Sequence, residues 1–321
     1  MTTAAVIGCG DVSVVHLGAI GKLAGVTLVG VCDTDTDRGA GLHVPRFTDH
    51  RRLLDEVRPD VVHICTPHDQ HTSVAVDCLE AGVNVLLEKP VAHTVAEADR
   101  LIDAARRHPH LKVGICLQNR YNTATRTAYD LLSTGGLGPV VGGSATVMWH
   151  RDSAYYQARP WRGQRVRSGG GVLINQAVHT VDLLEWLLGD VTGVCGQAGR
   201  YALDGIDVED TASMVLDHAG GARSVLFATV ANAVDSPVTI EITTKRATLL
   251  IRGDLTVSHA GGRVETIAEP VVSTGGRGYW GASHELLIAD FYRTLPDPAP
   301  FWIGPQEGAR SLRLIDQIYH P

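Results

Sequence analysis

Thr3-Ala4-Ala5-Val6-Ile7-Gly8-Cys9-Gly10-Asp11-Val12-Ser13 is the stretch on which the fold turns. A short apolar run ends in glycine, a second glycine comes two residues later, and apolar residues then recur at helical spacing from Val12 to Leu23. The two glycines allow a tight turn and close backbone approach to a pyrophosphate. The start of the helix adds free N–H groups and a partial positive charge for that anion. Ser13 stands where Gly or Ala is usual in this pattern and is small enough for helix–strand contact. Glycine turns between strands and helices are common, so the stretch takes its meaning from an acid further along the chain. Asp33 closes a second apolar run, Val26–Cys32, about 20 residues beyond the glycines. An acid there can accept both adenosine ribose hydroxyls and repels a 2′-phosphate, which favours NAD over NADP. In a run as turn-rich as Asp33-Thr34-Asp35-Thr36-Asp37, an N-cap role is the alternative, and Arg38 leaves an opening for NADP.

Further short apolar runs lie at Asp60–Cys65, Val83–Leu87 and Leu111–Cys116, with amphipathic helices expected at Asp69–Ala81 and Thr94–Arg107. Such strands separated by helices predict a parallel sheet covered on both faces. The stretch Asp33–Phe47 is short for a full second helix. After Gln118 the pattern changes. A helix at Thr123–Leu132 leads through Gly135-Gly136-Leu137-Gly138-Pro139 into a strand, Val140–Trp149. A polar, aromatic loop comes next, then a helix over Gly171–Leu188. Strands with turns run from Val191 to Ile267, and helices near Ser283–Thr294 and Gln306–Tyr319 close the chain. The expected architecture is α/β: a dinucleotide-binding domain over 1–120, then a substrate-binding and oligomerisation domain over 121–321 with a large, open, mostly antiparallel sheet.

With 321 residues the chain is comfortable for two domains. A net charge of -7 argues against a nucleic-acid surface, which needs a basic face. No apolar run is long enough to span a bilayer, and Met1–Gly8 has no signal-like character, so a cytoplasmic protein is expected. The 6 cysteines form no C-x-x-C pair and read as buried free thiols.

Three more stretches carry chemistry. Cys65-Thr66-Pro67-His68-Asp69-Gln70-His71 lies at the carboxyl end of a strand, where open parallel sheets bind ligands. Two histidines there hint at a metal, but no further ligand set is nearby, and a loop lining the cofactor is the simpler reading. Glu88-Lys89-Pro90 ends the next strand. Proline fixes the backbone, and a cis bond would aim the lysine; a solvated ion pair before a helix-initiating turn is the alternative. Gly169-Gly170-Gly171 precedes a helix bearing Asn175 and His179, one turn apart on one face. A lone helical histidine is usually a satisfied core residue; one that comes after a glycine run and an asparagine is more suggestive.

Taken in order, Gly8-x-Gly10, Cys65-Thr66-Pro67 with His71, Glu88-Lys89-Pro90, Gln118-Asn119-Arg120-Tyr121 and the Asn175/His179 helix resemble the glucose-fructose oxidoreductase/inositol dehydrogenase (Gfo/Idh/MocA) family along essentially the whole chain. The resemblance implies a Rossmann domain and an α/β domain, bound NAD or NADP, a sugar-like or cyclitol-like substrate, and a homodimer or homotetramer formed through the sheet's outer face. It assigns the cofactor to Gly8, Cys9, Gly10, Asp11, Val12, Asp33, Cys65, Thr66, Pro67, His71, Glu88, Lys89 and Gln118. Lys89 matches the family's lysine beside the nicotinamide, and His179 its usual acid/base histidine. Asn175 stands where many members have Asp; it can orient a hydroxyl but adds no negative charge. Arg120, Tyr121, Tyr155, Trp161, Arg162, Asn175 and His179 are the implied substrate contacts, and no metal is expected. Tyr155-Tyr156 through Trp161-Arg162-Gly163 resembles the branch acting on nucleotide-linked and antibiotic sugars. The expected activity is hydride transfer between nicotinamide and a secondary alcohol or ketone. Redox-neutral glycoside cleavage by oxidation and elimination is an alternative, as is a non-catalytic dinucleotide sensor, which needs neither Lys89 nor His179.

Overall fold

The computed structural model describes residues 1–270 and 283–320. They form two compact units: Met1–Gln118 with 283–309, and Asn119–270 with 310–320.

In the first unit β1 (Thr2–Ile7), β2 (Val26–Cys32), β3 (Arg46–Phe47), β4 (Val61–Ile64), β5 (Asn84–Leu87) and β6 (Val113–Ile115) make one sheet ordered β3-β2-β1-β4-β5-β6. Every pairing is parallel. The apolar runs read as strands because both faces are covered: the side chains of β4 and those from Val85 to Leu87 are all buried. Helices α1 (Ser13–Lys22), α2 (His50–Val57), α3 (His71–Glu80) and α4 (Val95–Arg107) alternate with the strands. Thr94 caps α4 by accepting from the Glu97 N–H. Between β2 and β3 the chain makes turns and no helix. The two-residue β3 and the short α2 escaped the sequence reading. Their apolar content is slight, and α2 is fixed by an Asp49 cap and two buried leucines.

The second unit starts with α5 (Thr123–Ser133) and β7 (Val140–Met148). The expected loop after β7 is instead a set of short helices: α6 (Ser153–Ala158), a 3-10 turn at Pro160–Gly163, and α7 (Arg165–Ser168). Next come a π-helical turn, Leu173–Ala177, and α8 (Val178–Leu188). The second sheet adds β8 (Val191–Gly199), β9 (Thr211–His218), β10 (Arg223–Thr229), β11 (Thr239–Thr244), β12 (Ala247–Arg252), β13 (Asp254–His259) and β14 (Val264–Ile267). Its order is β14-β13-β12-β11-β7-β10-β9-β8, antiparallel except for the parallel β7–β10 pair. Buried and exposed positions alternate along β9, β10 and β11, so one face is covered and the other open.

Two helices close the described chain, α9 (Ser283–Thr294) and α10 (Pro305–Tyr319). The sequence reading assigned all of 121–321 to the second domain, whereas α9 packs in the first unit. Phe291 of α9 is fully buried there, and a side chain at Gly114 of β6 would meet its ring at 2.8 Å. Burying a phenylalanine stabilises by about 1.5–3 kcal/mol, enough to fix where such a helix docks. Among the described residues no helix is long and apolar enough to cross a membrane.

Candidate active site

Gly8 has φ +90°, and a Cβ on it would lie 2.6 Å from the Cys65 carbonyl carbon and oxygen, so this position needs glycine. The turn it makes brings the carboxyl ends of β1 and β4 into contact. The Cys9 N–H donates to Asp33 Oδ2 at 2.7 Å, tying the glycine turn to the end of β2. Asp33 Oδ1 accepts from the Asp35 N–H, and Arg38 Nη1 lies 3.5 Å from Oδ2. Asp33 is therefore both a turn residue and a placed acid. A carboxylate has about four lone-pair sites, which leaves acceptor capacity for ribose hydroxyls. A cavity beside it is lined by Asp33, Asp35, Thr36, Arg38, Arg46 and Phe47. No side chain caps the start of α1, and Ser13 Oγ donates to the Gly10 carbonyl. At the end of β4 the Thr66 hydroxyl is buried and has no partner among the described residues. A glycine cradle, an uncapped helix start, a placed acid and an orphaned hydroxyl together fit a bound dinucleotide. Burial pushes the Cys9 thiol up to about 11, so it is present as a thiol rather than a thiolate.

Several expected cofactor residues act from behind. The His71 ring lies between two backbone carbonyls, Nδ1 2.7 Å from that of Pro90 and Nε2 3.0 Å from that of Thr66; burial lowers its pKa, and the one N–H of the neutral ring serves the nearer carbonyl, that of Pro90. His71 is buried between two strand-end loops. Glu88 is also buried. Its Oε1 accepts from His16 Nε2 at 3.0 Å and His284 Nε2 at 3.2 Å, and its Oε2 from the Lys89 N–H. Burial acts to raise its carboxyl, but the two imidazole bonds outweigh this and hold it well below the usual carboxylate range. Between Val85 and Ala92 every residue is buried except Lys89. The Lys89–Pro90 peptide is cis.

In the second unit two of the three glycines are packing devices, and Gly169 ends α7 in a left-handed conformation. A Cβ on Gly171 would overlap the Glu209 carbonyl oxygen, and one on Gly170 the Tyr319 hydroxyl. The Glu209 carboxylate accepts from Gly171 N–H at 2.7 Å, Leu173 N–H at 3.0 Å and Tyr319 O–H at 2.6 Å. It thereby caps the helical segment that carries Asn175 and His179. The segment opens as a π-turn, a distortion frequent at functional sites, and not as the plain α-helix expected. From Gly170 to Glu185 every residue is buried except Asn175 and His179.

Arg120 differs from expectation. It is 2% exposed and forks onto Asp182 of α8, Nε to Oδ2 at 2.9 Å and Nη2 to Oδ1 at 2.6 Å, with Trp186 under its guanidinium. It braces α8 rather than meeting a substrate. Tyr121, Trp161 and Arg162 are half-buried. Tyr155 lies against two guanidiniums, Arg162 at 4.4 Å and Arg151 at 5.3 Å from its ring, and its hydroxyl accepts from Gln176. The sequence reading missed Glu209, Asp182, His16, His63 and His284. Glu209 carried a faint signal as an acid just before a strand; the others look like ordinary helix or strand residues.

Two family models match the chain: an oxidoreductase family with an NAD-binding Rossmann fold over residues 2–114, and the GFO/IDH/MocA C-terminal domain over residues 125–250. The chain is 28% identical over 229 residues to D-apiose dehydrogenase of Paraburkholderia graminis, covering 69% of this chain and 59% of that protein. It is 27% identical over 224 residues to inositol 2-dehydrogenase 2 of Saccharopolyspora erythraea, covering 67% and 63%. Each match thus spans less than two thirds of the relative's length. Among solved structures, the WlbA dehydrogenase of Bordetella pertussis, in complex with NADH and UDP-GlcNAcA, superposes with a TM-score of 0.86 at 26% identity, over 99% of this chain and 95% of that one. Since its two family models lie in order along both halves of the sequence and the glycine turn, Asp33 and Thr66 fit the dinucleotide, the chain belongs to the GFO/IDH/MocA family of NAD-binding oxidoreductases.

Proposed function

We propose that this chain catalyses NAD-dependent hydride transfer at a secondary alcohol or ketone of a sugar, nucleotide-linked sugar or cyclitol. Lys89 and His179 handle the proton, and Asn175 orients a hydroxyl. The carrying observation is the exposure pattern: these three residues alone break the surface of otherwise buried segments. Polar side chains that reach the surface from a segment otherwise packed stand where a ligand can reach them.

The backbone around Gly8, Cys9, Gly10, Asp11 and Val12 would hold the pyrophosphate, Asp33 the ribose, and the Cys65–Pro67 loop with Gln118 the rest. Bound NAD supplies the hydride acceptor, or as NADH the donor. The Lys89 ammonium hydrogen-bonds the reacting oxygen and stabilises alkoxide character. His179 accepts or returns the hydroxyl proton, since imidazole is the side chain suited to exchanging protons near neutral pH. The aromatic–arginine cluster at Tyr155 and Arg162, and the WlbA relationship, support a nucleotide-linked sugar within this class. Val225 and Phe227, exposed on the open face of the second sheet, support pairing of two or four copies there. The free cysteines support a reducing, cytoplasmic setting.

The test is NADH absorbance with product analysis over a panel of sugars, nucleotide sugars and cyclitols. Lys89→Met and His179→Ala should each lower turnover about 10²–10⁴-fold with NAD affinity nearly unchanged. Asn175→Ala should act mainly on KM. Product formation without NADH accumulation, turnover of simple aliphatic alcohols only, or normal rates in both the Lys89 and His179 variants overturns the assignment.

A further inference from the structure

We propose that His284 on α9 is a positioning residue for Lys89, acting through the Glu88 carboxylate that it shares with His16. The inference rests on the reading of Lys89 as a proton-handling group.

Lys89 is pinned on both sides. Behind it, Glu88 grips the Lys89 N–H with one oxygen while the other oxygen takes both imidazoles. Ahead of it, His71 holds the Pro90 carbonyl. The arrangement behind continues inward. His16 Nδ1 lies 2.7 Å from His63 Nδ1, and His63 Nε2 lies 2.8 Å from the Tyr292 hydroxyl. Two ring nitrogens at that distance share one proton, so one ring donates and the other accepts. Burial, then the charge of a neighbouring His16, holds His63 well below its usual range, so His63 is neutral near pH 7. The contacts run in one line from the Tyr292 hydroxyl through His63 and His16 to the Glu88 carboxylate, with His16 Nε2–H donating to Glu88. The Cys65 and Cys116 thiols also face Glu88, and burial keeps both protonated.

Both outer members, Tyr292 and His284, come from α9. The motif lysine is thus backed by a carboxylate whose second imidazole arrives nearly 200 residues later in the chain. His16, Glu88 and His284 also have the composition of a metal site, their ligand atoms lying within 4.8 Å of one another. Hydrogen bonds account for each of these contacts without an ion: both Nε2 atoms meet one oxygen of Glu88, and the other oxygen is taken by a backbone N–H.

The experiment compares His284→Ala, His284→Gln, Lys89→Met and the Ala/Met double variant, measuring kcat, NAD Kd, melting and bound zinc. Glutamine can return an N–H near the position of Nε2. Losing one charge-assisted bond should lower kcat by about tenfold, with NAD Kd within about twofold, and His284→Gln should recover most of the rate. In the Lys89→Met background His284→Ala should cost nothing further, because the two act as one unit. Normal kcat in both His284 variants, an additive double variant, or one zinc per chain overturns the inference while Lys89 stands. If His284→Ala does not fold, His284→Gln and the hydroxyl deletion Tyr292→Phe carry the test; loss of fold in all three makes the network purely structural and overturns it. A normal rate in Lys89→Met alone sinks the catalytic reading of Lys89 itself.

Discussion

Replacing Glu209 with alanine should destabilise the second unit and misplace the segment carrying Asn175 and His179. Three donors converge on this buried carboxylate: two backbone N–H groups at the head of that segment and the Tyr319 hydroxyl of α10. Alanine leaves all three without an acceptor, and each buried unsatisfied donor costs about 1–3 kcal/mol. The gross loss is roughly 3–9 kcal/mol, reduced because a buried carboxylate no longer has to be kept from water. A net loss of about 3–5 kcal/mol is expected, on the order of 10 °C in Tm for a unit of this size. Glu209→Gln keeps one carbonyl acceptor and should lose less. The pH dependence gives a separate check. Burial raises the Glu209 carboxyl above its ordinary value, so this group's contribution is fully present below the unfolded value of about 4.3 and declines as pH rises through the folded one. The stability gap between Glu209→Gln and the parent protein should therefore widen in the parent's favour as pH falls from 7 toward 4.5. Melting by circular dichroism at both pH values, with kcat alongside, reads all three effects. An alanine variant that melts within about 0.5 kcal/mol of the parent, as surface substitutions do, would refute the capping role.

Three other outcomes rest on single contacts. Gly8→Ala should lose NAD binding in a titration, since its Cβ meets the Cys65 carbonyl and its backbone conformation disfavours a side chain; unchanged Kd would remove the glycine cradle from the argument. Asp33→Ser should narrow or reverse the NAD over NADP preference, because it removes the acid that repels a 2′-phosphate while Arg38, still held by Asp35, stays beside the site; the ratio of the two dissociation constants decides it. Arg120→Ala leaves Asp182 charged and buried and should cost about 3–5 kcal/mol in chemical denaturation, whereas a variant that changes only substrate KM would restore Arg120 to the substrate.

Local physics made much of this protein legible from its sequence. The glycine turn, the continuous apolar strands and Asp33 are short-range signals: period, glycine content and chain direction fix a parallel sheet and its ligand-binding edge. The Asn175/His179 helix was visible for the same reason. Its π-turn was not, and the Glu209 carboxylate that accepts from N–H groups at its head lies more than thirty residues away in the chain. The roles of polar side chains also waited for the tertiary structure. His71, Glu88 and Arg120 sit in the same motifs as residues proposed to meet a ligand, yet each lies against a partner inside the protein: Pro90 and Thr66 for the first, His16 and His284 for the second, Asp182 for the third. A sequence displays which groups can bond, but a buried polar group must find its partner inside the protein, and partners brought together from distant segments are chosen only when the core closes. That is why the sequence alone determined the fold class and the cofactor edge, and only the tertiary structure decided which polar motif residues are held by partners inside the core.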